Sequence, residues 1–253
     1  KNILKDKILI SKVKIIKIIA LSKRYKRFPK FEIWSTLSNT LSSQLPVVLL
    51  SSFFNSTVTG FYSLSYRILV LPMSLIGGSI GQVFLQQSSA NKNDSIFLKK
   101  LTKSTFFRLF IIGVIPISII GIYGDYIFSF VFGENWIVAG EYAQLLSLWI
   151  FFVFIMSPLS TLFITLEKQK EFFIFNISIL IARVASLVIG YYIFNSAYET
   201  VIIYSVVGTL FWIWLMLYIF RLVGISLKEV SSLFMLLPIV LGILIFSRIF
   251  IGV

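Results

Sequence analysis

Apolar runs of about 20 residues recur along this chain and leave little choice of fold. A helix needs about 20 mostly apolar residues to cross the roughly 30 Å hydrocarbon layer of a bilayer. Helices satisfy all their backbone hydrogen bonds internally, so they can span that layer. We place seven spans at residues 32–54, 58–88, 105–124, 141–165, 172–194, 200–220 and 231–251. The sequence therefore predicts an all-α, polytopic membrane protein with about seven transmembrane helices.

Composition supports this prediction and excludes several kinds of chemistry. Hydrophobic residues make up 58% of the chain and charged residues 13%, against roughly 45–50% and 25% in soluble domains. The chain has no cysteine and no histidine, so thiol nucleophiles, disulfides, imidazole bases and zinc motifs are excluded. We predict no catalytic residue, no metal site, no cofactor and no enzymatic activity.

The basic residues predict the orientation of the spans. Eleven of the 23 Lys and Arg lie in residues 1–30, and most of the others lie in alternate links at 89–104, 166–171 and 221–230. The positive-inside rule places these links in the cytoplasm. The net charge of +13 then reflects topology, and no nucleic-acid partner is expected. Residues 1–23 form either an amphipathic segment on anionic lipid or a basic linker, and both interpretations stay open.

The first span is unusually polar for a membrane helix. Between Ser35 and Gln44, eight of ten residues are Ser, Thr, Asn or Gln. Leu37, Leu41 and Val48, together with Leu45, form only a narrow apolar stripe at helical spacing. Unsatisfied polar groups are costly in hydrocarbon. We therefore expect this helix to line water, a ligand cavity or other polar helices.

Arg67 lies near the middle of the second span, and no acidic residue lies in the middle of any span. An arginine at that depth usually faces a cavity or a partner. It could bind a phosphate or diphosphate through two parallel hydrogen bonds. It could instead extend to the interface or bond carbonyls that Pro72 leaves free. Arg183 in the fifth span raises the same question. The cavity candidates are Arg67, Arg183, Ser38, Asn39, Ser42, Gln44, Tyr62, Tyr66 and Gln82.

A small-residue pair in the second span predicts close helix packing. Gly77 and Gly81 are four residues apart, and such pairs let two helix backbones approach each other.

A set of residues between about 25 and 170 resembles a known transporter family. These residues are Phe28-Pro29, Gln44 with Pro46, Gly60 with Tyr62, Arg67 with Pro72, Gly77-Gly78, Gln82 with Phe84, and Gly133 with Trp136. The pattern resembles the C-terminal half of the polysaccharide transporters of the multidrug/oligosaccharidyl-lipid/polysaccharide flippase superfamily, the Wzx-type flippases. Asn55 stands where relatives often have Gly.

The resemblance implies a MATE-like architecture of two six-helix lobes around a central cavity. It divides the chain into a cytoplasmic inter-lobe linker (1–30), a C-terminal transporter lobe (31–222) and an additional C-terminal helix (223–253). The chain begins with Lys1, and we expect that an N-terminal lobe of the same protein is missing. If a proton or sodium site exists, it would lie in that lobe.

The implied function is export of undecaprenyl-diphosphate-linked oligosaccharides for O-antigen, capsule or exopolysaccharide biosynthesis. The expected location is the bacterial cytoplasmic membrane. The diphosphate would contact Arg67 and Arg183, and the polar first span would hydrate the sugars. Expected partners are the lipid-linked substrate, membrane lipids, the missing lobe, and polysaccharide polymerase or export machinery.

Other functions remain open at this point. A MATE-like small-molecule exporter would share the architecture and differ in its ligand. A membrane-embedded polysaccharide polymerase or acyltransferase would be expected to show histidine or paired carboxylates near a membrane face. The absence of histidine and the short outer links disfavour that class.

Overall fold

The computed structural model describes residues 27–251, and its regular elements are helices. The helices are α1 (Arg27–Phe53), α2 (Ser56–Ala90), α3 (Ser95–Phe132), α4 (Ile137–Leu159), α5 (Leu162–Thr165), α6 (Gln169–Phe194), α7 (Ala197–Val223) and α8 (Ser231–Ile251). Short 3-10 turns precede α4 and α8. The basic segment 1–23 and most of the predicted linker lie outside the described residues.

Each of the seven predicted spans falls on a helix, and the all-α membrane fold is confirmed. Five helices of the described part are long and apolar enough to cross a bilayer: α2, α3, the stretch from Glu134 to Thr165, α6 and α7. The polar helix α1 is not among them, and α8 contributes a shorter apolar stretch, Leu233–Ile249.

The helix that contains the predicted third span, 105–124, continues beyond it at both ends. Helix α3 has 38 residues, about 57 Å at 1.5 Å per residue, so it extends well beyond the hydrocarbon layer. Lys99, Lys100 and Lys103 made its first turns look like a loop in the sequence, although charged residues are compatible with a helix outside the bilayer. At the other end, the backbone is non-helical at Tyr123, where α3 kinks and then continues to Phe132.

Helix α4 lies at the centre of the bundle. It packs against α2, α3 and α7, whereas α1 packs mainly along α6, α6 also contacts α7, and α8 lies against α3. Leu146, Trp149 and Ile155 of α4 are almost completely buried. The mostly apolar surface of α4 therefore holds several helices together.

Close packing at the predicted glycine pair is confirmed. Gly77 and Gly81 are buried on the face of α2 that packs against α4. A Cβ atom on Gly77 would lie 3.7 Å from Pro158 Cγ, and one on Gly81 would lie 3.4 Å from Pro158 Cα. The small residues thus allow α2 to approach α4 at the turn that contains Pro158.

Ion pairs join the basic links at one end of the bundle. The Lys99 and Lys103 Nζ atoms lie 2.8 and 3.2 Å from the Glu229 carboxylate, and the Lys92 Nζ lies 3.8 Å from Glu167. Hydrogen bonds from Lys99, from the Ser226 backbone N–H and from Lys103 lower the pKa of Glu229 to about 2. Three of the links predicted to be cytoplasmic therefore share one end of the molecule.

Helix α8 is attached to the kink of α3 by polar contacts. Arg248 donates to the Ile122 carbonyl, and its Nη2 lies 2.6 Å from Asp125 Oδ2. The Tyr123 hydroxyl is 2.5 Å from Ser247 Oγ. Gln144 of α4 donates to Asp125 Oδ1 over 2.8 Å. Arg248 and Gln144 thus satisfy groups at the point where the α3 helix is interrupted.

We expect Asp125→Ala to lower the midpoint of thermal unfolding by about 2–6 °C, because it removes the carboxylate that both Arg248 and Gln144 contact. The double variant Asp125→Ala, Arg248→Ala should lose less stability than the sum of the two single losses, since both changes remove the same contact. The matched control is Glu134→Ala, at an exposed acidic residue in the following turn. Equal losses for Asp125→Ala and Glu134→Ala would contradict this assignment.

Candidate functional site

An open cleft lies between α1 and α2. It has a volume of about 450 Å³ and is lined by Ser43, Gln44, Val47, Ser63, Tyr66, Arg67, Val70, Leu71 and Ser74. The cleft forms because α1 packs along α6 while α2 packs along α4, and contacts between α1 and α2 are few. A two-residue turn, Phe54 and Asn55, connects them. The Asn55 side chain accepts a hydrogen bond from the Val58 N–H and thereby caps the start of α2.

The polar helix α1 presents three different faces. Leu37, Leu41 and Val48 of the predicted apolar stripe are exposed on the bundle surface, as expected for a stripe in contact with lipid. Ser35, Ser38 and Ser42 are buried. Ser43 and Gln44 line the cleft, and Asn39 is exposed outside it. The prediction that α1 lines a cavity and contacts polar groups is thus met on two separate faces.

The buried serines of α1 contact polar residues of α6. Asn176 Nδ2 donates to Ser35 Oγ over 2.7 Å, and Arg183 Nη1 donates to Ser42 Oγ over 2.9 Å. In both pairs the partners are 141 residues apart in the chain. Ser38, between them, donates to the Trp34 carbonyl of its own helix over 2.6 Å. Hydroxyl hydrogen bonds therefore join α1 to α6 in addition to ring contacts such as that of Phe53 with Tyr191.

Arg67 is exposed in the cleft. Ser63, Val70 and Ser74 lie on the same face of α2 as Arg67, because they are separated from it by about one or two helical turns, and the preceding residue, Tyr66, also lines the cleft. Among residues 27–251, Arg67 forms no hydrogen bond or ion pair with another described residue. The structure therefore does not show the alternative in which Arg67 forms hydrogen bonds with carbonyl groups near Pro72.

Arg183 lies in a different environment from Arg67. Its side chain is only 5% exposed. Its Cζ atom lies 4.3 Å from the ring centroid of Trp149 and 5.6 Å from that of Tyr204. The structure therefore does not bring the two arginines into one cavity. Contact between Arg183 and a large substrate stays a prediction, and it requires the surrounding helices to separate.

A row of aromatic rings connects the two arginine environments. Tyr66, in the cleft, stacks on Tyr62 at 6.0 Å and on Trp149 at 5.9 Å between centroids. Tyr62 is completely buried. Gln82 is exposed on α2, about four turns beyond Arg67 and outside the cleft lining. The predicted candidates thus divide into cleft residues, buried residues and two exposed residues, Asn39 and Gln82.

Sequence reasoning missed several residues of both environments. Ser63 and Ser74 lie four residues before and seven residues after Arg67, so helical spacing alone could have identified them. Asn176, Trp149 and Tyr204 lie on other helices than Arg67 and Ser42. Their positions depend on helix packing, which no local spacing reveals.

Comparison with known proteins assigns the chain to a family. The sequence model of a family described as "Polysaccharide biosynthesis protein" matches residues 12–141, about half of the chain. The chain belongs to this family. The match includes α1, α2 and every residue that lines the cleft, whereas Arg183 lies beyond it. The resemblance predicted from the sequence is therefore confirmed.

A curated relative and a solved structure agree with this assignment. The chain is 24% identical over 209 residues to the teichuronic acid biosynthesis protein TuaB of Bacillus subtilis (strain 168), covering 79% of this chain and 42% of the relative. Its fold is similar to that of the lipid II flippase MurJ in an inward closed conformation, with a TM-score of 0.60 and 19% identity. That match covers 94% of this chain and 55% of MurJ. The chain thus spans about half the length of the relatives it matches.

Proposed function

We propose that this chain is part of a flippase that moves undecaprenyl-diphosphate-linked oligosaccharides across the bacterial cytoplasmic membrane, from the inner to the outer leaflet. Membership of a polysaccharide biosynthesis family and a fold like that of a lipid II flippase support the proposal. A second lobe from the same protein would complete the transport cavity. The released oligosaccharides would supply a cell-surface polysaccharide, and a polymerase or export machinery would act on them next.

The observation that carries the proposal is the position of Arg67 in the polar cleft between α1 and α2, where it pairs with no other residue of the described part. A guanidinium group donates parallel hydrogen bonds to the oxygens of a phosphate. The cleft volume of about 450 Å³ lies in the range of small-molecule sites. A cleft of this size can receive a diphosphate group, while the sugars and the lipid extend beyond it.

The helix packing supports a way for the cleft to change shape. Helix α1 follows α6, and α2 follows α4, so the two walls of the cleft belong to different packed pairs. A change in the angle between these pairs would be accommodated at Phe54 and Asn55, the residues between α1 and α2. In our proposal, this change exposes Arg67 to one side of the membrane and then to the other.

Transport of small organic cations is the second candidate, because MATE-like exporters share this architecture. The positive charge of Arg67 in the cleft disfavours a cationic ligand by direct repulsion. Tyr66, beside Arg67 in the same cleft, could still bind a cation through its ring face. Ligand charge therefore distinguishes the two functions.

A reconstitution experiment tests the proposal. The full-length protein would be placed in liposomes together with a fluorescent undecaprenyl-diphosphate oligosaccharide, and the accessibility of the sugar to an external lectin would be followed with time. We expect faster transfer between leaflets than in protein-free liposomes, and competition by excess unlabelled lipid diphosphate. Unchanged transfer, combined with uptake of tetraphenylphosphonium by the same liposomes, would favour the exporter instead.

A further inference from the structure

Unpartnered polar atoms are concentrated around Arg183. Seven buried side-chain nitrogen or oxygen atoms of the described residues have no hydrogen-bond partner, and five of them lie in one cluster. The five are Tyr62 Oη, Trp149 Nε1, Arg183 Nε, Arg183 Nη2 and Tyr204 Oη. Buried polar groups in native proteins are nearly always hydrogen-bonded, to protein, water or an ion. A cluster of this size therefore indicates a missing partner.

The missing partner must accept hydrogen bonds. Arg183 Nε, Arg183 Nη2 and Trp149 Nε1 can only donate, and the Tyr62 and Tyr204 hydroxyls, which face each other, leave one hydroxyl proton for a further acceptor. Arg183 uses Nη1 for its bond to Ser42. The free Nε and Nη2 atoms form the edge of the guanidinium that binds anions through two parallel bonds. The Trp149 ring covers one face of the guanidinium, 4.3 Å from Cζ, and does not use the hydrogen-bonding capacity of that edge.

The positive charge of Arg183 also lacks compensation within the described residues. None of the ion pairs in that part of the chain includes Arg183. Glu32 lies in α1 ten residues before Ser42, about 15 Å along the helix. An arginine buried to this extent is strongly destabilised unless an opposite charge accompanies it. A water molecule could accept the hydrogen bonds, but it could not neutralise the charge.

We propose that the Arg183 cluster binds a small inorganic anion, with chloride as the most abundant candidate. A monatomic anion accepts bonds from all directions, which suits donors from α2, α4, α6 and α7. With the helices packed as they are in this structure, a lipid diphosphate cannot reach a residue that is 5% exposed. The anion site is thus separate from the cleft that contains Arg67, and it does not depend on the function proposed for that cleft.

The bound anion would connect four helices of the bundle through their side chains. Tyr62 belongs to α2, Trp149 to α4, Arg183 to α6 and Tyr204 to α7. Through Ser42, Arg183 also contacts α1. Anion binding would therefore hold the α1–α6 pair against the α2–α4 pair, and we expect it to stabilise the folded protein.

Thermal unfolding in different salts tests the proposal. The purified full-length protein would be heated in sodium chloride and in sodium gluconate at equal ionic strength. We expect chloride to raise the unfolding midpoint by about 5 °C when its concentration is about 100 times the Kd. Inorganic pyrophosphate should not replace chloride. An equal midpoint in chloride, gluconate and pyrophosphate would overturn the proposal. That result is expected if a carboxylate from elsewhere in the protein already neutralises Arg183.

Substitutions test whether Arg183 binds the chloride ion. Arg183→Lys retains the charge but loses the two-atom edge, so the apparent chloride affinity should fall more than about tenfold. Arg108→Lys, at an exposed arginine of α3, is the matched control and should respond like the wild type. If Arg183→Lys does not fold, Tyr204→Phe retains the ring, removes one donor and should also weaken the chloride response. An equal chloride response in Arg183→Lys, Tyr204→Phe and the wild type would mean an adventitious ion only.

Discussion

Replacing Arg67 with alanine should reduce export of lipid-linked oligosaccharides below detection while leaving the amount of protein in the membrane unchanged. Arg67 is exposed in the cleft and forms no bond with another described residue, so its removal leaves no buried group unpaired. A charge-assisted hydrogen bond contributes about 1.5–3 kcal/mol. Loss of two such bonds to a diphosphate corresponds to a reduction of roughly 100-fold or more. Surface polysaccharide on intact cells, normalised to immunoblotted protein, is the measurement.

Two further variants make the Arg67 experiment specific. Arg67→Lys should restore part of the export, because lysine retains the charge and loses the parallel hydrogen bonds. Arg108→Ala removes an exposed arginine from α3, outside the cleft, and should export normally. If Arg67→Ala and Arg108→Ala export equally well, Arg67 does not bind the substrate and the proposed function loses its main support.

Replacing Gly140 with leucine should prevent stable folding. At this position α3 and α4 approach through their backbones, and a Cβ atom on Gly140 would overlap the Gly124 carbonyl oxygen and Asp125 Cα. Overpacking usually costs about 1–3 kcal/mol when side chains can adjust. Here the obstacle is backbone, so the helices themselves must separate. We expect Gly140→Ala to lower the unfolding midpoint by more than about 5 °C and Gly140→Leu to aggregate during purification.

Size-exclusion chromatography after heating of the detergent-solubilised protein measures this effect. The matched control is Gly242→Ala in α8, where a Cβ atom would have no neighbour within 4 Å. That variant should behave like the wild type. If Gly140→Ala is as stable as Gly242→Ala, the close approach of α3 and α4 at Gly124 and Gly140 does not exist in the protein.

The sequence predicts the helices of this protein better than their contacts. Long apolar runs predict where the helices lie, because the bilayer imposes a minimum length on each span, and five helices of the described part are long and apolar enough to cross it. Charged residues make the helix ends harder to predict. In the sequence, Lys99, Lys100 and Lys103 resemble a loop, although they lie in the first turns of α3. The Gly77–Gly81 pair could be predicted since both residues lie on one helix. Gly124 and Gly140 lie on two helices, and no spacing within either reveals their contact.

The sequence likewise predicts some residues of the candidate site but not the contacts that helix packing creates. Arg67 and Gln44 were predicted as cavity residues, and both line the cleft. Arg183 was grouped with them because both arginines lie within apolar runs. Its burial depends on Trp149 and Tyr204, which helix packing brings to it from α4 and α7. In α1 nearly every face carries polar residues, so polarity alone could not indicate which of them turn toward α6.

Two side-chain hydrogen bonds between α1 and α6 limit how the chain can vary. Ser35 pairs with Asn176 and Ser42 with Arg183, and the partners in each pair are 141 residues apart. Insertions or deletions in the intervening turns would leave both pairs intact, since each helix keeps its register. A one-residue insertion between Ser35 and Ser42 would rotate one partner by about 100° and break a pair. The parallel alignment of α1 and α6 is thus fixed by two seven-residue intervals, and the links between them are free to change in length.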